Sequence, residues 1–562
     1  MLKPPKFSLN MTTSVQCPSV ETGSEHRSRA SRLAVPGRTL TLLTLALAVC
    51  AQFVDWNNPF INGLNGTLND QVGYVTAARN WADKGSLDSS VVLPSVLLQH
   101  TRRNTLYMPG HYWALGITFR YLGYSLPHAF LPELLAFVIA VLLVYRIANA
   151  LFGREVAYYS SALFIFFPLN LVYSFTAMME MEAVAATLAA LAMFLALPER
   201  MRPWLGPVTL TLPILFRETG VAVAALMALV IFCGSQQRWK RTLTFAVLTC
   251  AVVLIMLTLP IASGRPSLWT ANVFYRGQFE ATYADAFATT GLHIGPMQWV
   301  IAIARMIRGN LHELLIPRLA IGVPSLLDFF SMLFVLSGVP IGVFVWRRER
   351  SGFALGVAAM VLLMLLMELG FYKIWGYYGT RVMLICQPFV AVLIALLLDR
   401  YLKRMRLGRF MAAATVTIVA IIATASTYQV FRNEVRINAE AAADTSFLES
   451  LGHDTRGLLV SPYEVSLPYV QKHYPARWSF VPANVRTLRI LDEKYSVTTL
   501  LLPLGSSAPG SLQISDITSI GLSEEKVVTY RGMAFRIFKR TGVNSEAAGS
   551  ERVLGRHGRR GF

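Results

Sequence analysis

The chain has 562 residues, of which 54% are hydrophobic and only 15% charged. With a mean hydropathy of +0.48, that balance excludes an ordinary soluble domain, in which about a quarter of residues are charged. The formal net charge of +19 would suggest nucleic acid on a soluble protein. Here the cations gather in short loops between apolar runs, which excludes that partner and indicates a polytopic membrane protein.

Residues 1–38 form a polar, Ser-rich tail carrying Arg27, Arg29, Arg32 and Arg38. Its composition reads as disordered and its charge as cytoplasmic. The first apolar run, Leu40–Val54, reads as an uncleaved anchor: its charged lead is long, and Val49-Cys50-Ala51 is a poor cleavage site. A polar loop follows, about 55–108. Further apolar runs are Gly110–Leu122, Leu131–Ala150, Ala157–Leu171, Ala177–Leu197, Leu205–Phe232, Thr242–Ile261, Leu326–Val345, Phe353–Leu369, Val382–Leu398 and Met411–Thr427. Most approach the ~20 residues that cross a hydrocarbon core. Gly110–Leu122 is the shortest and has Arg120 near its end. The expectation is a mostly α, polytopic transmembrane helical bundle of eleven to thirteen spans over 39–428.

Basic clusters orient the bundle. Arg238, Lys240 and Arg241, then Arg347, Arg348 and Arg350, then Arg400 to Arg409 mark cytoplasmic loops. A second long loop, 263–324, and everything after Met411–Thr427 then fall outside. The first half obeys the same rule if Gly110–Leu122 only dips into the outer face and Leu205–Phe232 splits near Arg217-Glu218. Arg200 and Arg202 are then inside and Glu180–Glu182 outside.

Residues 429–540 read as a small C-terminal α/β extracytoplasmic domain. Gly457–Ser461, Trp478–Val481 and Val497–Pro503 resemble strands. Val465–Lys472 and Val485–Lys494 resemble helices, and Val527–Tyr530 with Ala534–Phe538 a hairpin. A Gly/Arg/Ser-rich tail, 541–562, reads as disordered. The five cysteines have neither disulfide nor zinc-site spacing.

Chemistry centres on Asp70, in Asn69-Asp70-Gln71-Val72-Gly73-Tyr74, at the start of the polar loop. Asp70 is either the cap of an amphipathic stretch, Val72 to Trp81, lying on the membrane surface, or a reacting carboxylate. Arg217 sits within an apolar run, where charges are costly and functional by default; the alternative is a salt bridge to Glu218. Arg381 stands at the outer end of a span, as a phosphate ligand or a snorkelling side chain. Glu180 and Glu182 begin a span, where a helix N-terminus favours carboxylates. Arg102, Arg103 and His111 lie where the first loop returns to the membrane. Asp83 and Asp88 are further loop carboxylates. Trp269, Phe274, Tyr275, Tyr283 and Trp299 in the second loop are an aromatic belt or a sugar-stacking cover.

Several of these segments, taken in order, resemble the GT-C-type integral membrane glycosyltransferases, among them protein O-mannosyltransferases and the aminoarabinose transferase of lipid A. The carriers are Asp70-x-x-x-Tyr74-x-x-x-Ala78-Arg79 closing at Gly85, and Tyr107-Met108-Pro109-Gly110-His111-Tyr112. They continue with Leu151-Phe152-Gly153-Arg154, Phe167-Pro168 followed by Met179-Glu180-Met181-Glu182-Ala183, Phe216-Arg217-Glu218-Thr219-Gly220, and Tyr378-Gly379-Thr380-Arg381 with Pro388. The resemblance implies inverting transfer of a sugar, hexosyl or pentosyl, from a polyprenyl-phosphate donor to an extracytoplasmic acceptor, a glycolipid, polysaccharide or protein. It implies Asp70 as catalytic base or as ligand of a divalent metal (Mg or Mn). Tyr74, Arg102, Arg103, His111, Glu182, Arg217 and Arg381 would bind substrate. The implied setting is a bacterial inner or plasma membrane with the active site outside. Gln71 stands where the family often has Glu, and Glu218 where it has Pro. A transporter or flippase, and a non-catalytic scaffold, are the rival readings. A transporter would call for repeated halves or many intramembrane charges, and the sequence shows neither.

Overall fold

The computed structural model describes residues 37–52, 54, 68–92, 108–235, 237–262, 322–375, 381, 383–402, 408–452, 457–462, 472–474, 477–479, 481–482, 485–504 and 512–540. The second long loop with its aromatics and most of Val465–Lys472 lie outside them.

The described residues are mostly helical. The first half contains α1 (Gly37–Ala51), α2 (Leu68–Lys84), α3 (Pro109–Leu122), α4 (Leu126–Phe152), α5 (Arg154–Ile165), α6 (Pro168–Tyr173), α7 (Glu180–Ala196), α8 (Arg202–Thr209), α9 (Thr211–Phe216), α10 (Val223–Gly234) and α11 (Arg238–Ala262). The second half contains α12 (Gly322–Glu349), α13 (Gly352–Trp375), α14 (Gln387–Leu397) and α15 (Gly408–Ser450). Among the described residues, four stretches are long and apolar enough to cross a membrane: Leu126–Phe152, Arg238–Met256, Ser331–Glu349 and Leu384–Tyr401. Shorter apolar helices cover Gly37–Ala51, Glu218–Gly234 and Gly352–Met367. Exposed Leu243, Leu254, Leu333, Leu366, Ile418 and Ile421 line the outside of the long helices, as a lipid-facing surface requires. This is a multi-pass integral membrane protein.

The helices break where the sequence compels it. Pro168 has no N–H to continue a helix, so the apolar run 157–171 becomes α5 and α6. Pro213 crowds the carbonyl four residues earlier, Thr209, and α8 gives way to α9 at Leu210. The chain then turns extended at Arg217 (φ −152°, ψ 129°) before a 3-10 turn, Glu218–Ala222. Thus the run Leu205–Phe232 is split at Arg217-Glu218. Gly153, at φ 94°, makes the sharp turn from α4 into α5 that a side chain would strain. The α3 helix has 14 residues, about 21 Å at 1.5 Å each, too short to cross the bilayer.

The sheet joins two distant parts of the chain. Its strands are β1 (Val91–Val92), β2 (Leu458–Val460), β3 (Arg477–Ser479), β4 (Val497–Pro503), β5 (Leu522–Tyr530) and β6 (Met533–Arg540), with two helices, α16 (Val485–Tyr495) and α17 (Ile514–Thr518). The order is β1-β3-β2-β4-β6-β5. The first three pairings are parallel, and β4–β6 and β6–β5 are antiparallel. Leu458, Val460, Leu488, Leu491, Val497, Leu500 and Phe538 form its buried layer. The edge strand β1 comes from the first polar loop. The expected domain boundary at 428/429 falls inside the single helix α15.

Candidate active site

Helix α2 starts at Leu68, so Asp70 lies within its first turn; the Asp70 side chain is outside the described residues. Val72, Tyr74, Val75, Thr76, Ala77 and Ala78 are buried. The helix is therefore packed against the protein along most of its length. Its principal partner is α3, which comes close because Gly116 faces the Trp81 ring with no side chain between. The Tyr74 ring meets His111 edge-on at 5.0 Å and Tyr112 at 5.7 Å. Gln71, also buried, accepts the Ala177 N–H at 3.1 Å. The departure from a second carboxylate thus has a structural use: a neutral amide oxygen fixes the turn before α7.

The N-terminus of α7 gathers three carboxylates. Its first N–H groups have no partner within the helix, and Met179 offers no side-chain cap. Glu180 accepts the Met179 N–H at 3.0 Å and Glu133, from α4, the Met181 N–H at 2.7 Å. Positive charge at the helix end favours both. Glu182 lies 2.6 Å from His111 Nδ1, and His111 Nε2 is 3.2 Å from the Ala177 carbonyl. A carbonyl only accepts, so Nε2 carries its hydrogen and a single proton bridges Nδ1 to Glu182.

Two arginines converge on Glu180. Arg217 Nη1 donates to Glu180 Oε1 at 2.8 Å, from the extended break between α9 and the 3-10 turn. Arg381 Nε donates to the same oxygen. Arg381 is only 2% exposed, so it does not snorkel, and the Arg217 ion pair is with Glu180, not Glu218. One carboxylate thus holds two guanidinium groups side by side.

His111, Glu133 and Glu182 also form a donor set whose ligand atoms all lie within 4.8 Å of one another. Glu133 Oε1 is buried and has no hydrogen-bond partner among the described residues. One imidazole and two carboxylates, with an unsatisfied oxygen, suit a divalent cation.

Of the residues singled out from the sequence, Tyr74, His111, Glu182, Arg217 and Arg381 meet at one end of the bundle. Arg102 and Arg103 lie outside the described residues. Glu133 and the pairing role of Glu180 were not foreseen. Glu133 had a signal, since it is a carboxylate near the start of a long apolar run. The partner of Arg217 had none, being 37 residues away.

The family described as dolichyl-phosphate-mannose-protein mannosyltransferase matches residues 106–261, the segment carrying His111, Glu133, Glu180, Glu182 and Arg217. ArnT from Cupriavidus metallidurans, solved with undecaprenyl phosphate bound, is 13% identical, with 90% of this chain and 98% of that one covered and a TM-score of 0.53. Its apo form is 12% identical, with coverage of 91% and 98% and a TM-score of 0.53. The Archaeoglobus fulgidus oligosaccharyltransferase, tethered to an acceptor peptide, is 15% identical, with coverage of 83% and 69% and a TM-score of 0.48. A comparison with curated proteins gives no match. The fold is that of a GT-C-type integral membrane glycosyltransferase, as the ordered sequence motifs led one to expect.

Proposed function

We propose that this chain is a membrane glycosyltransferase that moves a sugar from a polyprenyl-phosphate carrier to an acceptor outside the cytoplasm, with inversion. The observation that carries this reading is the convergence of Arg217 and Arg381 on Glu180, beside the buried face of the helix whose first turn holds Asp70. Asp70 takes the proton of the acceptor nucleophile. The nucleophile forms a bond to the anomeric carbon while the bond from that carbon to the phosphate oxygen breaks on the opposite face. The polyprenyl phosphate leaves as an anion, and the guanidinium groups of Arg217 and Arg381 stabilise it. Glu180 preorganises both guanidinium groups, so little reorganisation accompanies charge development. Tyr74 and His111 line the substrate space beside α2 in this reading. Arg102 and Arg103 are further substrate-binding residues in this reading.

His111, Glu133 and Glu182 would hold a divalent ion, and Asp70 extends that ligand set in this reading. A bound ion would supply further positive charge to the leaving group. The mixed nitrogen and oxygen donors suit manganese or zinc better than magnesium. The spans number eleven to thirteen. The site end of the bundle and the C-terminal domain face outward, since Arg238, Arg241, Arg347, Arg348 and Arg400 cluster at the other helix ends. The undecaprenyl phosphate held by the ArnT of similar fold supports a polyprenyl phosphate as carrier.

The test is complementation of a deletion strain, read by mass spectrometry of its envelope glycans and glycoproteins. Asp70→Asn should abolish the missing product while the protein remains folded and inserted. Product at the wild-type level from that variant would sink the reading and leave a scaffold role in its place. Arg217→Ala should weaken binding of undecaprenyl phosphate, and unchanged affinity would remove Arg217 from the site.

A further inference from the structure

The C-terminal domain grips the first-loop helix at several separate points. Strand β1 adds to the edge of the sheet, with Val91 opposite Trp478 and Val92 opposite Ser479. The Trp478 N–H donates to the Ser90 carbonyl at 2.9 Å. Arg477 pairs with Asp88 at 3.1 Å. Segment 88–92 is in turn tied back to α2. The Asn80 amide donates to the Asp88 carbonyl at 2.5 Å, and Thr76 Oγ1 accepts the Ser90 N–H at 3.1 Å.

A direct clasp joins these. The Arg79 guanidinium lies 3.7 Å from the centre of the Tyr474 ring and 4.1 Å from that of Tyr124. Tyr474 belongs to the C-terminal domain and Tyr124 to the turn between α3 and α4. Both rings are well inside the ~6 Å range of a cation–π contact. The Tyr474 hydroxyl donates to Asn80 Oδ1 at 2.6 Å, one residue further along α2. Burial holds the Tyr474 phenol above its usual range, so the ring stays neutral and the hydroxyl keeps its proton. The clasp therefore fixes α2 from its C-terminal half. The other half of the same rigid helix carries Gln71 and Tyr74, which touch Ala177 and His111, and in its first turn Asp70.

We propose that the C-terminal domain is a positioning device for the reacting carboxylate: through β1 and the Tyr124–Arg79–Tyr474 clasp it sets where α2 lies against the arginine–glutamate cluster. Arg79 and Tyr474 are positioning residues, acting on Asp70 through the helix and not on substrate. The inference rests on the reading of Asp70 as the reacting group. It gives the soluble domain a part in turnover that its remoteness from the cluster would not suggest. Small misplacements suffice, because a shift of about 1 Å in a reacting group can cost about 100-fold in rate.

The test uses the full chain with Arg79→Ala, Tyr474→Ala and Tyr474→Phe. Three quantities are read: product in the complemented deletion strain, affinity of the purified protein for undecaprenyl phosphate, and amide exchange of α2. Arg79→Ala and Tyr474→Ala should lower product by about 10- to 100-fold and speed exchange in α2. Affinity for undecaprenyl phosphate should stay within about twofold, because Arg217 and Arg381 are untouched. The double variant should be little worse than either single one, as expected for one shared contact. Tyr474→Phe keeps the ring and should keep most of the product. Wild-type product from both alanine variants, with Asp70→Asn inactive, overturns the inference while the active-site reading stands. Full product from Asp70→Asn overturns both. Product and lipid affinity lost in parallel also overturn it, because that pattern marks general destabilisation. Should Arg79→Ala fail to accumulate, Tyr474→Ala and Tyr474→Phe carry the same comparison.

Discussion

At the residue scale, Glu180 is the pivot of the site. It is buried, and both arginine partners are buried with it. Glu180→Gln keeps the shape but removes the charged carboxylate that the two guanidinium groups share. Breaking a buried pair in this way costs about 3–5 kcal/mol. The expected outcome is a clearly lower unfolding temperature for the detergent-purified variant, and an unchanged midpoint would show that water already screens the cluster. Sequence reasoning found Arg217, Arg381, Glu182 and His111 because each is a polar group in or beside an apolar run. It could not find that Arg381 meets Glu180, since 201 residues separate them and only the folded bundle closes that distance. It preferred Glu182 to Glu180, yet each has its own partner, an imidazole for one and two guanidinium groups for the other.

At the element scale, the decisive packing is α2 on α3. A side chain at Gly116 would run into the Trp81 ring and the Ala78 carbonyl. Gly116→Val should cost about 1–3 kcal/mol through overpacking and displace Trp81, read as a shifted tryptophan emission spectrum together with a lower unfolding temperature. Unchanged emission and stability would mean that the two helices separate without penalty. Elements with a long, clean pattern were legible: strand β4 has the predicted bounds, Val497–Pro503, and α16 extends Val485–Lys494 by one residue. The hairpin is longer than predicted because the consecutive exposed charges Glu524, Glu525 and Lys526 interrupt the apolar signal, while the pairing resumes across them with a shift of register. Strand β1 was not legible. Two residues carry no periodicity, and their pairing is set by a partner in another part of the chain.

At the scale of the whole molecule, α15 runs from the bundle into the soluble domain without a break, and its far end is tied to the segment that bears Tyr474. Glu449 lies 2.9 Å from both Lys472 Nζ and His473 Nε2. The hydrogen bond from His473 holds its carboxyl below the usual glutamate range, with that from Lys472 adding to it. A group depressed in the folded state stabilises it above its unfolded pKa, and the contribution is lost as pH falls through the folded value. The attachment of 472–474 to α15 should therefore loosen on the acid side of the ordinary glutamate range and hold at neutral pH. Amide exchange around residues 447–450 as a function of pH would measure this. Glu449→Gln should remove the acid step, and an equal step in that variant would assign it elsewhere. Charge and hydropathy made the membrane class and the C-terminal α/β character legible, but not the sharing of a sheet between the first loop and the last segment of the chain.

That shared sheet has a consequence for how the chain is made. Asp88 and Arg477 stand 389 residues apart in the sequence. At about 5–20 residues per second of synthesis, the early strand waits roughly 20–80 s before its partner exists. During that interval almost the whole bundle is threaded into the bilayer while the helix that bears Asp70 lacks its clasp. The newborn chain is thus completed last at α2, so a ribosome that stalls before Arg477 releases a membrane protein with its lipid-facing helices in place and α2 unset.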